Sequence, residues 1–436
     1  MFVHRSGASR DREHPGLFAS QAGQSGLATR TGCGGKPAAY YCLTKNRMTE
    51  RLSITSYAAR AREFIETCAA RFSSRQGVGG ESEFNELALE LFHLQFHGNA
   101  PYRRWCEARG IAPDSARSWE QIPVVPTAAF KCSELTLLPE GERTRVFHSS
   151  GTTEHRSRHF HNASTLALYE ASLRPWFARH LPGLGKTRGA PVKRRMIVLT
   201  PEPGQVPHSS LVYMLARAVE AFGSGDSIWT GRVDPQQAWT LDFPAVRRAF
   251  EAAQEACEPA LVLGTAFSFV HLLDYLSAQG ISWVLPPGSR VMETGGYKGR
   301  SRTLPKNELH REMARGLGVT RAQIVCEYGM CELSSQAYDS LADPPPAPAP
   351  RRAAPGESAG GVFHFPPWAR VRIVSPENGM PVPEGEPGLI QVFDLANLSS
   401  ALAVQTEDLG QPSGQGFELL GRATEAEARG CSLMAV

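Results

Sequence analysis

The chain has 436 residues, of which 42% are hydrophobic and 20% charged, and its formal net charge is +3. A chain this long and this apolar can bury a large core and has room for two or more domains. So weak a net charge, with no Lys/Arg run interleaved with aromatics, argues against a nucleic-acid groove, and no apolar run approaches the roughly 20 residues of a membrane span.

Residues 1–47 are rich in Gly, Ser, Arg and Ala and carry no periodicity, which predicts a disordered N-terminal extension. A helical pattern with Ser53 and Thr55 as cap candidates begins just after Met48, the expected translation start. Helices are expected near 83–96, 163–180, 209–222, 266–279 and 305–316. Between them stand β-rich runs near 143–148, 194–200, 260–265, 289–296 and 322–329. Strand and helix alternating in this way predict an α/β fold whose ligands bind beyond the carboxyl ends of the strands. The stretch "DPPPAPAPRRAAPGESAGG", residues 343–361, reads as a flexible surface insert. After it, "FHFPPWARVRIVSP" and "GLIQVFDLANLSSALAVQTEDLG" read as hairpin-forming strands around a Gly/Pro turn at 383–388. Nine scattered cysteines form no CxxC pair and no zinc-spaced Cys/His grid, a pattern suited to a reducing, cytoplasmic setting.

The stretch "VFHSSGTTEHRSRHF", residues 146–160, puts Ser149, Ser150, Gly151, Thr152 and Thr153 directly after a strand-like run. Glycine lets backbone N–H groups approach an anion, and the hydroxyls add donors, so the loop suits phosphates. Alone, the same residues equally make an ordinary Ser/Thr turn or helix cap, and the spacing is not that of a Walker loop. Three further stretches follow in order: "METGGYKG" at 292–299, "CEYGMCELSS" at 326–335 and "TEDLG" at 406–410.

In order and rough spacing these four stretches resemble the adenylate-forming enzymes, in which a Ser/Thr/Gly loop, a Tyr-Gly-x-Thr-Glu stretch and a late acidic residue surround ATP. The narrower likeness is to the acyl-protein synthetase family of the bacterial luminescence system. It is carried by "FKCSEL" at 130–135, "SRH" at 157–159, "HSSLVYM" at 208–214, "ETGGYKGRSR" at 293–302 and "RGCSL" at 429–433, and it covers Trp119 to Leu433. The resemblance implies the large N-terminal domain of that superfamily over residues 48–415, with mixed sheets covered by helices and a small β subdomain. A hinge-like tail follows at 416–436, and the usual C-terminal mobile domain is largely absent. ATP and Mg²⁺ are the implied cofactors, a carboxylic acid, of fatty type, the substrate, and an acyl reductase or acyltransferase the partner.

Residue chemistry supports the same roles. Ser149 to Thr153 suit phosphates, Tyr328 offers a flat face for adenine, and Gly295 and Gly296 allow close backbone approach. Asp408 can accept both ribose hydroxyls, and Glu332 is the natural ligand for Mg²⁺, a hard cation that takes few carboxylates beside substrate phosphates. Lys298 either meets the substrate's anions or is a surface lysine, and Arg422 occupies the hinge position. Cys431, in the matching "RGCSL", is the implied acyl acceptor, the alternative being a spectator thiol in a mobile tail. The sequence departs from the pattern at Glu154, where glycine usually follows the threonines, at Cys331, where threonine usually precedes the glutamate, and in the Pro-rich insert. Glu154, Cys331 and the largely absent mobile domain keep a non-catalytic nucleotide-binding scaffold open, and the likeness of the serine loop to that of phenylacetate-CoA ligases keeps transfer to coenzyme A open. Tyr213, Met214, Phe267 and Phe269 are candidates for an apolar acyl pocket, or for ordinary core.

Overall fold

The computed structural model describes residues 53–73, 80–149, 156–181, 183–184, 186–187, 190–295, 302, 304–339 and 361–423. The expected N-terminal extension and residues 343–360 of the insert lie outside them.

A six-stranded sheet forms the centre, in the spatial order Ala337–Tyr338, Ile324–Tyr328, Arg290–Thr294, Ala260–Thr265, Arg195–Val198, Ile228–Trp229. Every pairing is parallel except that of Ala337–Tyr338 with Ile324–Tyr328. The run "ALVLGT" of Ala260–Thr265 is buried at every position, as continuous apolar strands are when helices cover both faces. Side chains alternate between two cores. Leu261, Leu263, Met292 and Val325 join the core formed with helices Ala163–His180 and Ser210–Phe222. Val262, Val291 and Ile324 join the core formed with helices Phe243–Glu255, Ala266–Gln279 and Lys306–Leu317.

The expected hairpin-forming strands build a second, antiparallel sheet in the order Val362–Phe363, Gly416–Arg422, Ala403–Ser413, Gly388–Asp394, Ala369–Val374. Val125–Pro126 adds to Ala403–Ser413 in parallel. Helices Ile54–Ala70 and Glu81–Gly98 pack on this side, where Tyr57 Oη donates to the Leu395 carbonyl at 2.9 Å. Glu81–Gly98 matches the helix expected near 83–96, while Ala100–Glu107 and Phe243–Glu255 were not foreseen from periodicity. Among the described residues no helix is long and apolar enough to cross a membrane.

Candidate active site

The serine loop is carried by a hairpin. Arg145–His148 pairs antiparallel with Arg158–His161 in the register His148 to Arg158. Ser149 helps hold its base: its Oγ accepts the Ser157 N–H at 2.9 Å, and its own N–H donates to the Ser157 carbonyl at 3.2 Å. Arg143 and Arg158 flank the hairpin and share Glu134, at 2.8 and 2.9 Å.

Two adjacent parallel strands end together at the head of the central sheet. Thr294 and Glu327 are register partners there, and the Thr294 hydroxyl donates to Glu327 Oε2. Burial pushes the Glu327 carboxyl up to about 7; the Thr294 bond opposes the rise and the Glu293 charge adds to it. Gly295 follows with φ +71° and open space beside its α-carbon, so the backbone can be approached closely. Tyr328 points the opposite way from Glu327. Its ring lies nearly edge-on to Phe363, Phe365 and Phe417, and its Oη donates to Asp408 Oδ2 at 2.9 Å.

The chain then turns through Gly329 into the loop that carries Glu332, and the second sheet fixes this loop from below. Asp394 Oδ2 accepts the Ser334 N–H at 2.9 Å and Asp394 Oδ1 the Ser335 hydroxyl at 2.7 Å. Asn397 Nδ2 donates to the Glu332 carbonyl at 2.9 Å, and the Asn397 carbonyl accepts from Gln95 Nε2 at 2.9 Å. From the serine hairpin, His159 Nδ1 donates to the Cys331 carbonyl at 2.8 Å. Burial lowers His159 to about 4, against the opposing effect of that carbonyl, so the ring is neutral near pH 7. The Glu332 side chain is itself buried, and the hydrogen bond made to its carboxylate among the described residues is from the Cys331 thiol, at 3.2 Å to Oε2. Burial, and then the Glu332 charge, raise the Cys331 thiol, which keeps it a neutral donor. No group of three or more potential metal ligands occurs among the described residues. A buried carboxylate that makes no ion pair among the described residues nonetheless fits one hard cation completed by phosphate oxygens.

Asp408 sits on the facing strand Ala403–Ser413. Besides Tyr328 it pairs with Arg422 Nε at 3.2 Å, and Arg422 reaches Glu407 at 3.0 Å. Its backbone N–H donates to Thr406 Oγ1 at 3.1 Å.

Of the residues singled out from the sequence, Ser149, Gly295, Tyr328, Glu332, Asp408 and Arg422 are described, and Tyr328, Asp408 and Arg422 are brought into direct contact. Ser150, Gly151, Thr152, Thr153, Glu154, Gly296, Lys298 and Cys431 lie outside the described residues. The four candidates for an acyl pocket are not gathered. Met214 belongs to one core and Phe269 to the other, because helices Ser210–Phe222 and Ala266–Gln279 cover opposite faces of the sheet. Phe267 packs on His271, and Tyr213 Oη donates to Glu170 at 2.7 Å. Sequence reasoning missed Asp394, Asn397, Gln95, His159 and Glu327. His159 and Glu327 stand within the quoted "SRH" and "CEYGMCELSS" stretches, but neither was given a role there.

The description "acyl-protein synthetase, LuxE" fits residues 79–435 of the chain. A long-chain-fatty-acid–luciferin-component ligase of Vibrio harveyi is 20% identical over 365 residues, covering 80% of this chain and 86% of that protein. Its counterpart from Aliivibrio fischeri is 20% identical over 368 residues, with the same coverage of 80% and 86%. Among solved structures, the chain is similar to 2-hydroxyisobutyryl-CoA ligase in the postadenylation state with R3-HIB-AMP. That match has a TM-score of 0.54 at 13% identity and covers 79% of this chain and 68% of the other. The same ligase with 2-HIB-AMP and CoA gives 0.52 at 14% identity, covering 81% and 69%. At such identities the likeness is one of fold, and the α/β fold is that of the large domain of adenylate-forming ligases.

Proposed function

Because the chain belongs to the acyl-protein synthetase family, and so is an acid-activating ligase, we propose that it joins a carboxylic acid to ATP as an acyl-adenylate and passes the acyl group to the Cys431 thiol. A carboxylate oxygen of the acid attacks the α-phosphorus, and the bond to pyrophosphate breaks with its electron pair. The Cys431 thiolate then attacks the acyl carbon, AMP leaves, and a thioester remains for delivery to an acyl reductase or acyltransferase.

The observation that carries this reading is the Glu332 carboxylate, buried in a clamped loop with a thiol as its hydrogen-bond partner and four residues after Tyr328 of the Tyr328–Asp408 pair. Mg²⁺, held there by Glu332, would neutralise phosphate charge during the displacement. Tyr328 and Gly295 would face the adenine, Asp408 the ribose, and Ser149 with Ser150 to Thr153 the phosphates. Lys298 would add positive charge where the leaving group forms, and Arg422, paired with Asp408, would tune nucleotide affinity.

Mass spectrometry after incubation with ATP, Mg²⁺ and mixed carboxylic acids tests the sequence of steps. Wild type should gain a hydroxylamine-sensitive acyl mass, and Cys431→Ser should lose it while still releasing pyrophosphate. An adduct of wild-type yield on the serine variant would move the acceptor to another thiol. Acyl-coenzyme A formed without any protein adduct would make the chain a coenzyme A ligase.

A further inference from the structure

A cleft of about 380 Å³ opens beside the last turn of helix Glu81–Gly98, lined by Ile54, His93, Leu94, His97, Gly98 and Leu137. Leu137 closes one wall so tightly that its Cδ2 would lie 2.7 Å from a Cβ at Gly98. His93 and His97 stand four residues apart on the helix and therefore share a face. Their ring centroids are 4.4 Å apart, with the planes tilted by 53°. His97 is exposed and His93 half-buried, and neither imidazole makes a hydrogen bond or ion pair with another described residue. Burial and the neighbouring His97 hold His93 below its ordinary value, against the charge of Asp114, so its ring is neutral near pH 7 and free to ligate.

We propose that His93 and His97 chelate one divalent transition ion of the kind that prefers imidazole, Zn²⁺ or Ni²⁺, with water in the cleft filling its other positions. Imidazole nitrogens bind such ions at roughly 2.0–2.1 Å, which for nitrogen–metal–nitrogen angles of about 90–109° puts the two ring centroids about 4.5–5.2 Å apart. The observed separation needs only a slight opening of the pair. Once one imidazole holds the ion, the second bond forms within the same molecule, an advantage that a single surface histidine lacks. The ion would also lie against the helix C-terminal turn, where carbonyls without a partner inside the helix carry partial negative charge. Ile54, Leu94 and Leu137 back the site with apolar surface, which strengthens ligation by limiting solvent. No carboxylate lines the cleft, so Mg²⁺, which the Glu332 loop suits, finds no oxygen ligand from its walls, and the two places select different metals.

The test is calorimetric titration of the metal-free full chain with Ni²⁺ alone, in the absence of ATP and Mg²⁺. Wild type should bind an ion that His97→Ala and His93→Ala each weaken by about tenfold or more. His97→Ala removes an exposed side chain and leaves the helix packing alone, so its effect stands even where the half-buried position fails to fold. Zn²⁺ should rank the three proteins in the same order, and Mg²⁺ should not displace Ni²⁺ at equal concentration. Ni²⁺ affinity unchanged by both substitutions would overturn the proposal, as would displacement by Mg²⁺ or no binding to wild type at millimolar Ni²⁺.

Discussion

Glu332 and Asp408 are both carboxylates at the head of the central sheet, yet they are held in opposite ways. Glu332 is buried, its loop is fixed through backbone groups by Asp394, Asn397 and His159, and its own carboxylate receives a weak thiol donor. Asp408 stands at a wetter corner and is held through its side chain, by the Tyr328 hydroxyl and by an arginine that is 57% exposed. A ligand's charge can complete the first arrangement, whereas at the second it must share a carboxylate already engaged. The buried loop is therefore expected to govern the reaction rate, and the exposed corner to tune affinity.

The largest separation of the two comes from Glu332→Gln. Removing a buried charge that has no cationic partner among the described residues should leave the melting temperature unchanged or raised, while ATP–pyrophosphate exchange falls at least about a hundredfold, ~2.7 kcal/mol of transition-state stabilisation. Exchange at the wild-type rate would remove Glu332 from the metal. Asp394→Ala attacks the same loop from beneath. It strips acceptors from Ser334, Ser335 and Ala396 in a buried setting, and denaturant unfolding should report a loss of about 2–4 kcal/mol. Asn397→Ala in the same chain should cost less than its effect alone, since both residues hold one loop. Simple additivity would show that the clamp is not a unit.

The two carboxylates were legible in the sequence because each follows a strand-like run and stands beside small or aromatic neighbours. Their supports were not. Gln95 meets Asn397 across 302 positions of chain, and Asp394 meets Ser334 across 60, so no local pattern could pair them. The strand Arg158–His161 was not foreseen: it is only four residues long and half of its side chains face inward. Whether the aromatic and methionine residues line an acyl pocket or ordinary core could not be read for a related reason. Composition shows that a helix is apolar but not which face of the sheet it covers, and here the two helices cover different faces.

A smaller effect is read from pH. Glu327 rises from its ordinary 4.5 to about 7 in the fold, so the native state binds more protons than the unfolded chain between those values. Its contribution is complete below 4.5 and is lost as pH rises through 7, by no more than about 3 kcal/mol. His159 acts in the opposite sense: lowered from 6.5 to about 4, it favours folding above 6.5, and that stability is lost as pH falls through 4. Glu327→Gln keeps an acceptor for Thr294 and removes the first dependence alone. The unfolding free energy of the variant relative to wild type should climb between pH 4.5 and 7 and then level off. A difference flat across that range would mean that the Glu327 carboxyl is not displaced from its ordinary value.

The smallest expected effect belongs to Arg422→Ala, and it bears most directly on the contrast between buried loop and exposed corner. Arg422 pairs with Glu407 and Asp408 from a largely solvated position, and exposed pairs of this kind contribute about 0–1 kcal/mol. Asp408 keeps the Tyr328 hydroxyl and the Thr406 turn when the arginine is gone, so its orientation should survive. The KM for ATP should rise by no more than about fivefold with kcat nearly constant, and 0.5 M salt should narrow the gap between variant and wild type by screening the pair that remains in wild type. Salt should leave the Glu332→Gln defect where it is, because that carboxylate is buried. A hundredfold fall in kcat for Arg422→Ala would show instead that the arginine meets the reacting phosphate, and the corner would then share in the chemistry as well as the binding.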